Sequence, residues 1–128
     1  MEVKYKVVST YKPGQGRNGE KLWFPKLTGA SQVDQYDIAE IMEKRTTASG
    51  PDLLVILTGL VELIPELLLS GKTIKLNRLG TFRLHAKVEP ASAPEEVTVK
   101  NIKELRISFR PDNVIKRKLK NCHITKAK

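Results

Sequence analysis

Two stretches of clean alternation dominate the chain. From Thr81 to Val88, Phe82, Leu84, Ala86 and Val88 fall on one face of an extended strand, and Arg83, His85 and Lys87 on the other. Leu105, Ile107 and Phe109 alternate with Arg106, Ser108 and Arg110 in the same way. A shorter run, Thr73 to Asn77, precedes them and is joined to the first by the turn Arg78-Leu79-Gly80. The pattern predicts two strands that each offer an apolar face to a core and a basic face to solvent. An ordinary half-buried sheet explains the alternation. It does not explain why the outer face carries almost only positive charge. The alternation slips between Asn101 and Glu104, which predicts a bulge.

Upstream, residues 3–11 and 21–27 read as short strands flanking KPGQGRNGE, with Asn18-Gly19 as the turn signal. Gly14, Gly16 and Gly19 match G-x-G-x-x-G, but a dinucleotide site needs that loop to open a helix. Here it opens the strand-like Leu22-Trp23-Phe24-Pro25, so a flexible hairpin is expected, with Trp23 and Phe24 in a core or an interface. After a connector over residues 28–33 the period becomes helical: Val33, Tyr36, Ile38, Ile41 and Met42 recur at three- and four-residue steps. Asp34, Asp37, Glu40 and Glu43 precede Lys44 and Arg45, the order that suits a helix macrodipole, and form a solvated face. Thr46 to Gly50 reads as a turn, with Ser49 or Gly50 as cap and Pro51 in the next first turn.

The second helix, from Pro51 to about Ser70, has an unusual pattern. Between Leu53 and Leu69, 12 of 17 residues are Leu, Val or Ile, and they go all the way round the cylinder. A surface helix in a small domain is apolar on one stripe only. A membrane span does not fit, because Glu62, Pro65 and Glu66 interrupt a run that is already short. Burial on both sides fits, one face on its own domain and the other on a second subunit. Pro65 is expected to kink the helix near residues 61–65, and Gly71 to end it. Pro111-Asp112 opens a last short helix with Val114, Ile115 and Leu119 as its apolar stripe. The tail NCHITKAK shows no clear structure.

Charge sharpens this picture. The 128 residues carry a formal net +9, but residues 1–70 hold 8 Lys/Arg against 9 Asp/Glu, and residues 71–128 hold 15 against 5. The basicity belongs to the strands and the C-terminus, the footprint of a polyanion-binding face. No basic amphipathic helix with aromatic anchors accompanies it, which argues against a membrane surface. A single cysteine, Cys122, suits a reducing cytoplasm, and MEVKYKVVST has no secretory pattern. Cys122-His123 lacks a second ligand pair for zinc, and neither His85 nor His123 has a nucleophile or paired carboxylate at suggestive spacing. No enzyme, cofactor, metal or small-molecule substrate is expected. Low aromatic content argues against RNA stacking.

GKTIKLNRLGTF followed by ISFRPDNVIKRKLKN resembles the HU/IHF family of bacterial histone-like DNA-binding proteins, over roughly residues 31–121. The resemblance implies an α+β fold: a helical hairpin, a three-stranded antiparallel sheet with a β-arm, and a short C-terminal helix. An N-terminal β-hairpin (1–30) would precede this domain (31–121), and a basic tail (122–128) would follow it. It implies an intertwined homodimer in the cytoplasm, at the nucleoid, whose arms embrace the minor groove of double-stranded DNA with little sequence preference, bending it. By position, Arg83, Lys87, Lys100, Lys103, Arg106 and Arg110 take the saddle and arm roles. Lys75, Lys116, Arg117, Lys118 and Lys120 become flanking phosphate contacts.

The chain departs from the family at the arm tip, where a basic Arg-Asn-Pro segment is usual. This sequence has Glu89-Pro90-Ala91-Ser92-Ala93-Pro94-Glu95-Glu96. Pro90 and Pro94 could serve as wedges, but three carboxylates surround them. The acidic tip and the added hairpin leave one alternative, an HU-like protein-interaction module that has lost DNA binding.

Overall fold

The computed structural model describes residues 2–14, 16–29 and 31–128. In chain order the elements are β1 (Glu2–Tyr11), β2 (Lys21–Leu27), α1 (Gln35–Arg45), α2 (Gly50–Leu69), β3 (Ile74–Leu76), β4 (Gly80–Val88), β5 (Ile102–Pro111), α3 (Asn113–Lys120) and β6 (His123–Lys126). Short 3-10 turns lie at Gly16–Asn18, Pro94–Glu96 and Val99–Asn101. The chain divides into two units, Val33–Arg117 and a second formed by Met1–Gln32 with Lys118–Lys128. The fold is mixed α+β, with three helices and two small sheets.

In the larger unit, local signals set the helix ends. Asp34 caps α1: one carboxylate oxygen accepts the Tyr36 and Asp37 amides at 3.0 Å each, while Asp37 accepts the Asp34 amide at 3.1 Å. The Asp37 N–H is the main reason the Asp34 carboxyl titrates below the ordinary aspartate value. Its contribution is therefore present above the unfolded pKa and is lost as pH falls through the lowered folded one. Ser49 caps α2, accepting the Asp52 amide at 3.2 Å, with Pro51 in the first turn. α2 runs through Pro65 as one helix and closes in a Schellman turn. There the Gly71 amide donates to Leu68 O and the Lys72 amide to Leu67 O, both at 3.1 Å, with Gly71 at φ +90°.

The sheet runs β3-β4-β5, antiparallel throughout. Its register pairs Phe82 with Phe109, Leu84 with Ile107 and Ala86 with Leu105, so the predicted apolar face is continuous across the ribbon. The two phenyl rings pack against each other tilted by 43°, with centroids 4.9 Å apart. A side chain on Gly80 would meet the Phe109 ring and the Arg110 carbonyl, both at 2.5 Å. The Gly in Gly-Thr-Phe is thus a place for that ring to lie. The predicted bulge is present: Lys87 pairs with Glu104 and Val88 with Ile102, which leaves Lys103 as the extra residue.

The second unit departs from the sequence reading. The tail expected to lack structure forms β6, which pairs in parallel with β1, Glu2 opposite His123 and Tyr5 opposite Lys126. The expected two-stranded hairpin is therefore the larger part of a sheet ordered β2-β1-β6. Residues 123–126 were illegible because four residues of mixed polarity carry no period, and their pairing is set by a strand over a hundred positions away. Gly16–Asn18 turns directly into β2, so the glycine loop opens no helix. Pro25 is tolerated because β2 is an edge strand.

Little of this apolar surface is covered within one chain. Among the described residues only Ala39, Leu53 and Leu68 are buried hydrophobics. Total accessible surface is 11103 Å². Two separately folded pieces of the sizes of these units would expose roughly 8,200 Å². Open apolar faces contribute to this surface. On α2, Val55 is 71% and Ile56 64% exposed; on the ribbon, Leu105 and Ile107 are each 55% exposed. The sequence reading placed the ribbon's apolar face on a core. Within one chain that face is half open, because α2 packs mainly on β3 and β4. Trp23, 66% exposed, is likewise outside any core of the single chain.

Candidate nucleic-acid interface

The opposite face of the ribbon is a ladder of polar rows set by the same register. Nearest the turn, Lys75, Thr81 and Arg110 line up across three strands. The next row is Arg83 opposite Ser108, the third His85 opposite Arg106, and the fourth Lys87 opposite Glu104. His85 Nε2 lies 2.7 Å from Ser108 Oγ, a diagonal hydrogen bond that ties the second and third rows together. Alternation alone dictates this arrangement: whatever places Phe82 and Phe109 on one side places Arg83 and Arg110 on the other.

The first row and Arg83 of the second form the floor of a polar cleft of about 400 Å³, lined by Thr73, Lys75, Thr81, Arg83 and Arg110, and by Pro111, Asp112, Asn113 and Lys116 at the start of α3. The Asp112 amide donates to Leu79 O at 2.9 Å, which pins that start beside the β3–β4 turn. Four of the candidate residues, Lys75, Arg83, Arg110 and Lys116, are thereby brought together, with Asp112 as the one carboxylate among the lining residues. Arg106 stands one row further out. Thr73, Thr81, Ser108 and Asn113 add hydroxyl and amide groups that the sequence reading did not single out. The alternation could have found Thr81 and Ser108, which share the face with the arginines. Nothing in the sequence marked Thr73 or Asn113.

The other candidates are placed differently. Lys103 pairs with Glu89 at 3.1 Å and Arg106 with Glu104 at 3.6 Å, all of these side chains being about half exposed. Such pairs add little stability. Their effect is to cancel charge toward the far end of the ribbon. Lys100 sits in the 3-10 turn at the tip, Pro94 opens the other tip turn directly before Glu95 and Glu96, and Pro90 is exposed just past the end of β4. Arg117, Lys118 and Lys120 are exposed on α3 and do not line the cleft. By composition, residues 71–86 with 105–117 hold eight Lys/Arg and one acid, whereas residues 87–104 hold three and four. The positive field belongs to the foot of the ribbon.

A protein-family model described as "HU domain fused to wHTH, Ig, or Glycine-rich motif" (HU-HIG) matches residues 1–126. The chain belongs to the HU-HIG family. DNA binding is the role the family supports. Among solved structures, this HU-HIG chain is similar to a Bacteroides vulgatus protein described as a candidate bacterial DNA-binding protein, with a TM-score of 0.66 at 11% identity. That likeness covers 98% of this chain and 48% of the other, so the chain spans about half the length of its structural neighbour. No curated protein matches it. Among the described residues no three His, Cys, Asp or Glu side chains converge as metal ligands, and no helix is long and apolar enough to cross a membrane.

Proposed function

We propose that two copies of this chain bind duplex DNA as an architectural, nucleoid-associated protein of the cytoplasm, with little sequence preference. The observation that carries the reading is the polar cleft at the ribbon foot, where Lys75, Arg83, Arg110 and Lys116 converge beside hydroxyl and amide donors. These groups suit phosphates, which carry no sequence information and whose neutralisation releases counterions. Arg106, Ser108 and His85 continue the same face outward. Support for a homodimer comes from the unburied apolar faces of α2 and the ribbon, which one chain leaves open and a two-fold partner would cover. The acidic tip does not favour proline insertion, so DNA is held at the foot and any bend comes from wrapping rather than wedging.

The test is retention of a short duplex across a salt series, by gel shift or fluorescence anisotropy. Affinity that falls steeply as salt rises is expected. Binding that ignores salt, or none at low salt, overturns the reading and leaves the alternative of an HU-type protein-interaction module. Two observations favour that alternative: the acidic tip, and the exposed face of the second sheet where Trp23, Leu27 and Ile124 are each 66% open.

A further inference from the structure

The far end of the ribbon is tied together by hydrogen bonds. The Glu89 amide donates to Asn101 O at 2.7 Å, and Asn101 Nδ2 donates back to Glu89 O at 3.1 Å. Asn101 Oδ1 accepts the Thr98 amide at 2.8 Å, and the Glu96 amide closes the first 3-10 turn on Ala93 O at 3.1 Å. These bonds fix a knob that presents Val97, 62% exposed, and Val99, 84% exposed. Glu95 and Glu96 stand beside them, and no cation among the described residues is within ion-pairing distance of either. Lys100 is the one cation in residues 89–101. A fixed, acidic, partly apolar knob is a poor phosphate contact. It is suited to a cationic protein surface with an apolar centre, because ordering it on binding costs little.

The chain itself carries such a surface. α3 has four cations and no carboxylate, and on it Leu119, 66% exposed, has Lys118 and Lys120 as chain neighbours, each about 100° round the helix to one side. We infer that the ribbon tip of one copy docks on α3 of a second copy in another dimer. Val97 and Val99 meet Leu119, and Glu95 and Glu96 face Lys118 and Lys120. The contact is head-to-tail, so each dimer offers tips to its neighbours and receives theirs, and dimers link into chains. Linked dimers coat DNA cooperatively, but the contact itself goes beyond the DNA reading and forms without DNA.

The experiment is sedimentation velocity of the full chain without DNA, at about 50 mM and about 500 mM salt, which changes the screening length several-fold. Compared with it are Glu95→Lys/Glu96→Lys, Lys118→Glu/Lys120→Glu, an equal mixture of the two, and Val99→Ser, with circular dichroism as the check on folding. Species larger than the dimer are expected at low salt and shrink at high salt. Each charge-reversed variant alone loses them, with about tenfold weaker association. The mixture regains them, because the reversed tip of one faces the reversed helix of the other. Val99→Ser weakens them without changing the salt dependence. A wild-type chain that never exceeds the dimer overturns the inference, as does a mixture no better than its components. Unchanged assembly in both charge variants also overturns it. DNA affinity is scored separately, so failure of the DNA reading is not mistaken for failure of this contact.

Discussion

The foot and the tip of the ribbon belong to the same two strands, yet they present opposite chemistry. At the foot, cross-strand register gathers arginine, lysine and hydroxyl groups on one face, and the start of α3 turns that face into a cleft. At the tip, each remaining cation but Lys100 has a carboxylate nearby, and two further carboxylates have no ion-pair partner among the described residues. A ribbon that embraced DNA along its whole length would gain from cations throughout. The segregation argues instead for a division of labour, with phosphate held at the base and the end left free for another contact. It also shows that net charge is too coarse a guide. The chain's +9 describes neither end.

The comparison breaks most completely if the foot cannot form. Gly80→Ala places a methyl group 2.5 Å from both a phenyl ring and a backbone carbonyl, so the β4–β5 pair must separate at its base. A loss of about 2–4 kcal/mol is expected, read as a shift in the denaturant midpoint. An unchanged midpoint would mean that the Phe109 ring moves aside freely. Next in size is the charge test. Arg83→Gln with Arg110→Gln empties the cleft floor of two cations and should weaken duplex binding by about 100-fold at low salt, lowering the salt slope by about 2. Lys100→Gln with Lys103→Gln removes as much formal charge from the tip and should change affinity by less than about threefold, because Lys103 already faces Glu89. Equal losses from the two pairs would abolish the distinction between foot and tip. A smaller effect belongs to Ser108→Ala, which deletes one donor beside Arg83 and should cost about threefold with the slope unchanged.

Much of the larger unit was legible because its signals are local. Phe82, Leu84, Arg83 and His85 declare a strand and both of its faces by alternation. Ser49 and Gly71 mark the two ends of α2, one by a capping hydroxyl and the other by its freedom to take a positive φ, whereas the capping role of Asp34 was not read from the sequence. The slip near Lys103 was visible as a break in that alternation. What could not be read depends on distant pairing. β6 exists through its contact with β1, and the cleft exists because Asp112 is tied to Leu79. The apolar face of the ribbon was legible as a face, but not as half open. Periodicity reports which residues want cover, without saying whether the same chain supplies it.

The smallest expected effect is at the tip, and it tests whether Glu95 and Glu96 oppose DNA or are merely remote from it. Glu95→Gln with Glu96→Gln removes two unpaired charges without adding a cation, so only repulsion is lost. If a duplex held at the foot passes within a screening length of the tip, affinity should rise about 1.5- to twofold at about 50 mM salt. The gain should vanish by about 300 mM, where the Debye length falls to roughly 5–6 Å. A duplex just long enough for one dimer is needed, so that contacts between neighbouring dimers add nothing to the reading. Pro94→Ala serves as the paired control. Pro94 sits in the turn that fixes those two carboxylates, and its replacement should leave the bend of the duplex, measured by energy transfer between its ends, within error of wild type. A reduced bend would return the wedge to the tip and require the DNA path to run along the whole ribbon.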